Sequence, residues 1–515
     1  MSKYLTRYMR LNNAENFKYT FDSNSDDNLF IFVGKTYGWD NGTAPALMDT
    51  DKDAIHDIWK DIVHLRRIVN NDIHHVIDRY DWMSGAMYNH FVHDDETLYA
   101  NTTSFYVKAS DNVYKCIANN GASTIQPTGT LSDSFSTADG YIWKFMYNID
   151  SNLQTKFMTN NYLPVQIETN PMLPQYDIQQ NAIFGDIQKI QIVEQGTGYA
   201  TDAGNISVVS ADGYYITLDG SASNISSTYN DYSIFISSGV GAGQIKKITQ
   251  YNGNTKTIKL ESPFSVTPTV TSMYIVSPSV VIKGNGINAL ARTVVDTNGT
   301  NVDTIIMVSA GTNYTTATAT VIGSTGSGAI LNPIISPPNG HGYNAIHELN
   351  GINIMIDKNI EFGGKAVDND FRFYGIVKNP ILTSNNSLAI DDLAEGDIYS
   401  QTEKLTVVNV DGEFTKDEQI YFINSSDITA NVVQFANTNG ANTAGVVSIT
   451  NANNGAFVIG ANIKGSSSGT TGVITNIEKG ELKISKGTVL FIENFDTEVT
   501  RDPAQRENFK ITLKF

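Results

Sequence analysis

Phe509-Lys-Ile-Thr-Leu-Lys-Phe515 closes the chain. Phe509, Ile511, Leu513 and Phe515 alternate with Lys510, Thr512 and Lys514, and a period of two sets one apolar face along a strand. The segment predicts an ordered terminal strand, not a frayed tail. Just before it, 501–506 (Arg-Asp-Pro-Ala-Gln-Arg) reads as a loop and 487–494 (Gly-Thr-Val-Leu-Phe-Ile-Glu-Asn) as another strand. At the other end of the chain, Leu29-Phe-Ile-Phe-Val-Gly34 is short, apolar and ended by glycine, which reads as a buried strand.

The first 180 residues hold all four tryptophans (Trp39, Trp59, Trp82, Trp143), six of the eight histidines and the single cysteine. Residues 51–70 predict a helix, because Ile55, Ile58, Trp59, Ile62 and Leu65 recur at spacings of three and four. Asp49, Asp51 and Asp53 stand at its start, where carboxylates suit the helix dipole. Residues 104–118 predict a hairpin turning at Ser110-Asp111-Asn112, and 139–147 predict a further strand.

From about 183 to 356, Trp and Cys vanish and Gly, Asn, Thr, Ser and Val dominate. Short β-branched runs punctuated by Gly or Asn predict an all-β region. A weak repeat runs through it: Ile192-Val-Glu-Gln-Gly-Thr-Gly-Tyr199 matches Met307-Val-Ser-Ala-Gly-Thr-Asn-Tyr314 in character. Two units are too few for a solenoid, and the glycines read as turn residues. From about 362 to the end, 405–408 and 419–422 predict strands, and Gly465-Ser-Ser-Ser-Gly469 reads as a flexible turn cluster.

Composition narrows the function classes. The chain has 515 residues, 41% of them apolar, enough to bury a substantial core. Its 35 basic against 53 acidic side chains argue against a nucleic-acid partner. One cysteine excludes an intrachain disulfide framework and a thiolate metal cluster. No apolar run approaches the ~18 residues that a membrane helix needs, so no membrane insertion is expected. The first 17 residues lack the apolar stretch of a signal peptide, an expectation of folding in a cytoplasm.

Chemistry-bearing motifs are sparse. The expectation is no GxxxxGK[ST] phosphate loop, no HExxH pair and no GxSxG elbow. Gly284-Asn-Gly286 follows a strand without the helix and acid of a dinucleotide site. His90 and His93 precede Asp94, Asp95 and Glu96, donor types that suit a divalent metal, but the loop setting favours a solvated polar segment. His74 and His75, beside Asp72, Asp78 and Arg79, suggest a packed polar network. His341 and His347, with Glu348 adjoining, are six residues apart and would not share one helix face. Cys116 reads as a small buried hydrophobe, and Asp391-Asp392 as a chance carboxylate pair. The expectation is therefore no catalytic, cofactor-binding or metal-binding residue, and no enzyme.

Four pieces carry a likeness. They are Phe30-Ile-Phe-Val-Gly34 with Trp39 and Ala44-Pro45; Trp59 with Val76-Ile77 and Arg79-Tyr-Asp-Trp82; Tyr114-Lys-Cys116 with Asp139-Gly-Tyr-Ile-Trp143 and Phe145; and 487–494 with Arg501, Gln505 and 507–515. In order and position they resemble a baseplate wedge subunit of contractile-tailed phages of the T-even type, over about 200 of the 515 residues. The chain departs from the familiar member by its β-rich middle, which resembles modules in longer wedge proteins of marine phages of this type. The resemblance implies a virion protein of the tail baseplate. It implies a homodimer that joins other wedge subunits and helps couple baseplate rearrangement to sheath contraction, without an active site.

The expected fold is mixed and mainly β: an α+β core built from both chain ends, with inserted β-sandwich or barrel-like domains. The expected division is 1–181 with 481–515 as core, 182–356 as an inserted β-rich domain and 357–480 as a second one. If the likeness holds, the two ends meet in space, because loop-closure entropy grows only logarithmically with the length of an insertion. The competing reading is a glycan-binding or glycan-cleaving tail spike, since Gly/Asn/Thr-rich repeats suit parallel β-helices. A regular stack of coils with a carboxylate pair in a groove would favour it.

Overall fold

The structure is a computed structural model and describes residues 5–21, 27–40, 42–44, 52–100, 103–296, 300–360, 370–383, 392–440, 443–500 and 507–515, with backbone alone for 52–54. The protein is mainly β, with several sheets, one closed six-stranded barrel and short helices. It divides into two compact units, Met1–Val76 with Ile352–Phe515, and Ile77–Gly351. These boundaries fall elsewhere than the compositional ones at 181/182, 356/357 and 480/481. Trp39 and Trp59 belong to the first unit, Trp82 and Trp143 to the second.

In the first unit, Leu29–Gly34 is the middle strand of a five-stranded sheet. All six of its residues are buried. Period two explains why: Phe30 and Phe32 pack with Trp59, Leu65 and Phe373, while Leu29, Ile31 and Val33 pack with Ile73, Ile354 and Ile511. A strand covered on both faces reads as a continuous apolar run. Its neighbours are Ile62–Arg67 on one side and Phe371–Lys378 on the other, both antiparallel. Thr488–Val499 pairs with Phe371–Lys378 at the sheet edge.

The closing segment forms the strand Asn508–Lys514. It pairs antiparallel with Asn353–Asn359, which pairs in turn with Ile73 to Val76. Ile511 is buried and Phe509, Leu513 and Phe515 pack against the same cluster, as their alternation predicts. The Phe515 ring lies 5.4 Å from Phe17 of the helix Arg7–Tyr19. Trp39 Nε1 donates to the Phe495 carbonyl at 2.7 Å. The first and last segments of the chain thus share one core.

The helix expected over 51–70 is shorter. It spans Lys52–Asp61, and Ile62–Arg67 is a strand. Ile62, Val63, His64 and Leu65 are all buried, so both faces of this strand are covered and no alternation betrays it. Ile62 and Val63 are β-branched, and pairing with Leu29–Gly34 supplies the ladder hydrogen bonds that the extended form needs. Asp49 and Asp51, the side chain of Asp53, and Pro45, Asp391, Arg501 and Gln505 lie outside the described residues.

The barrel is the second feature of this unit. Glu403–Val408, Gln419–Phe422, Ser425–Asn437, Ala444–Asn453, Asn462–Gly465 and Thr471–Glu478 close on themselves through antiparallel pairs. Leu405, Val407, Ile420, Val432, Val447, Ile463 and Ile474 point inward and fill it.

In the second unit, Tyr106–Ala109 and Asn112–Ala118 form the expected hairpin, with Ser110 at φ 54° in the turn. Ile142–Asn148 extends that sheet, and the Trp143 ring stacks on Tyr141 at 5.3 Å. The repeat is structural. Ile187–Thr197 pairs with Ser327–Ile335, Val302–Thr312 with Ile287–Val295, and Met273–Gly284 with Ala317–Ile322. Ile187–Thr197 thus finds its partner far along the chain, whereas Val302–Thr312 closes a hairpin with the strand just before it. The motifs adopt matching turns: Gly196 and Gly198 have φ 64° and 81°, Gly311 and Asn313 67° and 65°. Tyr199 and Tyr314 are both buried in one cluster. Every pairing in this twelve-stranded sheet is antiparallel.

Candidate functional site

The densest charged cluster lies in the second unit. Lys115 sits in the middle of Asn112–Ala118 and is 0% exposed. Its ammonium makes a close ion pair with Glu348, lies 3.3 Å from Gln188 Oε1 and sits 4.4 Å from the centre of the Phe91 ring. Glu348 ends the short helix Ala345–Glu348, whose start is fixed by Asn344 accepting the His347 N–H at 3.1 Å. The Glu348 carboxylate also accepts the Gly342 N–H at 2.7 Å and lies 3.1 Å from His341 Nδ1. His341 Nε2 is 3.2 Å from the Phe145 carbonyl.

The charges settle as follows. Burial alone would raise the Glu348 carboxyl, but the Lys115 ammonium and His341 outweigh it and hold it well below the usual range. Burial, then Lys115, push His341 down to about 4, against the pull of Glu348. His341 thus bridges the Glu348 carboxylate and the Phe145 carbonyl through its two ring nitrogens. The cluster ties Asn112–Ala118, Ile142–Asn148 and residues 341–348 together. A cavity of about 460 Å³ adjoins it, lined by His341, Lys144, Asp186 and Gln188 among others. Burial, then Lys115, lower the Lys144 ammonium. None of these side chains forms a nucleophile–base pair, so the arrangement is an internal ionic tie beside a polar cavity.

The other expected positions are dispersed. His90 Nδ1 is 3.1 Å from Asn119 Oδ1, and His93 Nδ1 accepts the Ile335 N–H at 3.4 Å. Asp95 caps the turn Glu96–Tyr99 by accepting the Thr97 N–H and hydroxyl. Among the described residues, no group of three or more His, Cys, Asp and Glu side chains is placed to hold a metal. His74 and His75 are buried in Ile73–Asp78, and burial pushes His74 down to about 3. Asp72 pairs with Lys358 at 2.7 Å, and Arg79 with Asp81 at 2.9 Å. Cys116 is fully buried, and burial pushes its thiol up. Gly284-Asn-Gly286 connects two strands, and the Tyr314 ring covers both glycines so closely that a Cβ at Gly286 would overlap it.

Two features escape the sequence reading. Lys115 looks misplaced among Val113 and Ile117, and a buried lysine in a strand is itself the signal of a distant carboxylate. Gly465-Ser466-Ser467-Ser468-Gly469 has the GxSxG spacing, which corrects the expectation that the chain holds none. It joins Asn462–Gly465 to Thr471–Glu478, strand to strand, where an elbow needs strand to helix. The Ser467 and Ser468 N–H groups and hydroxyls all donate to the Glu418 carboxylate at 2.8 to 3.1 Å. The loop is a cradle for a carboxylate of its own barrel. Compared with known proteins, the chain matches no protein-family model and no curated protein.

Proposed function

We propose that this chain is a structural subunit of a contractile-tail baseplate wedge. In this reading it forms a homodimer, joins neighbouring wedge proteins and helps couple baseplate rearrangement to sheath contraction. The observation that carries the reading is the meeting of the two chain ends at the segments bearing the likeness. Leu29–Gly34 shares a core with Asn508–Lys514, and Trp39 binds the backbone at Phe495. Thr488–Val499 is an edge strand of its sheet among the described residues, and its stretch before Phe495 is where a partner strand would add. No described helix is long and apolar enough to cross a membrane.

The antiparallel pairing of the twelve-stranded sheet and the barrel weighs against a spike built as a parallel β-helix. The test is co-expression of the full chain with the other wedge proteins of its particle, followed by size-exclusion chromatography and sedimentation. A stable complex containing a dimer of this chain is expected. A chain that stays apart from them and binds or cleaves cell-surface polysaccharide would overturn the reading.

A further inference from the structure

The cavity beside the ionic tie holds two charges that the tie does not use. Its space of about 460 Å³ lies wholly within the second unit, between the strands Ile142–Asn148 and Val302–Thr312, the segment 132–134 and residues 181–188. Lys144 and Asp186 both line it. Lys144 is half-buried, and its ammonium makes no hydrogen bond or ion pair with any described residue. Asp186 is 9% exposed. Its Oδ1 is shielded and accepts no hydrogen bond, which leaves Oδ2 as the oxygen open to the cavity.

The two charges act on each other without meeting. Burial and then Lys115 lower the Lys144 ammonium, and Asp186, Glu348 and Asp133 oppose them from a distance. Glu348 is already committed to Lys115, His341 and the Gly342 N–H. Charges taken out of water are normally paired. A cation and a carboxylate held apart across one space suit a molecule that carries both signs, because each of its ends supplies the partner that a wall group lacks. The lining also carries an excess of carboxylate. Asp133 and Asp186 face Lys144 alone, since burial, then Lys115, hold His341 down at about 4. A further cation on the ligand balances that excess. Met307, Val308 and Ile183 add an apolar stretch of wall, on which a methylene stem can lie.

We propose that this cavity binds a basic α-amino acid, with its carboxylate on Lys144, its α-ammonium on Asp186 and its side-chain cation toward Asp133. The cavity has the volume of a small-molecule site and combines apolar wall with a few polar groups, as such sites do. The proposal does not rest on the assembly reading.

The test is isothermal titration calorimetry of the full chain with L-lysine, at ionic strength fixed with chloride. Nα-acetyl-L-lysine lacks the α-ammonium and L-lysinamide lacks the carboxylate. On the unaltered protein these two ligands separate a two-ended site from a general attraction of cations to an acidic surface. Lys144→Met and Asp186→Asn each remove one wall charge, and circular dichroism checks that both variants fold. The expected result is saturable L-lysine binding, weakened by about tenfold or more when either end of the ligand is blocked and in either variant. L-glutamate should bind more weakly than L-lysine. No saturable binding of L-lysine, the result for a cavity that holds water alone, overturns the proposal. So does L-lysinamide binding as tightly as L-lysine, or an affinity unchanged in both variants.

Discussion

Replacing Glu348 by alanine strands a buried charge, and the structure sets how much that costs. Lys115 is 0% exposed, so its ammonium cannot turn to water. Without Glu348 it keeps only Gln188 Oε1 at 3.3 Å and the face of Phe91. The Gly342 N–H and His341 lose their acceptor as well. Breaking a buried pair from one side typically costs about 3–5 kcal/mol, whereas replacing both partners by apolar groups is often neutral. A two-unit chain does not unfold in two states, so the assay should be local. Native-state hydrogen exchange by mass spectrometry on 112–118 reads the opening of that strand. Where exchange passes through that opening, Glu348→Ala should speed it by about 10²- to 10⁴-fold, at a factor of ten per 1.4 kcal/mol. The pair Lys115→Met with Glu348→Leu should recover the share due to the stranded ammonium, though not that of the Gly342 N–H and His341. Unchanged exchange in Glu348→Ala, or a double variant as labile as the single one, would refute the reasoning.

Three further outcomes follow from geometry. Gly326→Ala puts a Cβ into the Tyr199 ring at a backbone φ of 78°, which should destabilise the repeat sheet by about 1–3 kcal/mol, whereas Gly460→Ala, at φ 89° but with open space, should cost less; exchange or thermal melts separate them. For Glu418, burial raises the carboxyl, but the N–H and hydroxyl donors of Ser468, Thr415 and Ser467 outweigh it and hold it below the ordinary 4.5. A depressed carboxyl stabilises fully above its unfolded value and loses that contribution as pH falls through its folded value. The barrel should therefore weaken as pH drops below 4.5, and Glu418→Gln should be less stable at neutral pH with a flatter acid profile. Cys116 should resist a thiol reagent at neutral pH in the native protein and react once denaturant is added; rapid native labelling would contradict its burial.

Much of the fold was legible where one residue pattern admits one structure. The alternation from Phe509 to Phe515 specifies a one-sided strand, and the strand follows. The all-apolar Leu29–Gly34 announces a strand between two cores. The Gly-Thr-Gly-Tyr and Gly-Thr-Asn-Tyr motifs foretell two equal turns, although not the pairing of Ile187–Thr197 with Ser327–Ile335, because pairing over 130 residues leaves no local trace. The helix expected over 51–70 fails at Ile62 for the same kind of reason. A run buried on both faces has no period, and only the neighbouring strand decides its state. Barrel closure likewise depends on contacts between strands far apart in sequence. The ionic tie is not legible in the sequence: Glu348 adjoins His347 and follows His341 by seven positions, but Lys115 stands 233 positions from Glu348, and only the fold brings them together.

The most direct test of the assembly reading is an electron-microscopy map of the intact particle, resolved well enough to trace this chain. The account predicts that it lies in the baseplate wedge, in contact with other wedge subunits and a second copy of itself. There Leu29–Gly34 and Asn508–Lys514 should share one core, with the barrel and the repeat sheet as additions to it. A chain traced in a tail fibre or spike, away from the wedge, would contradict it.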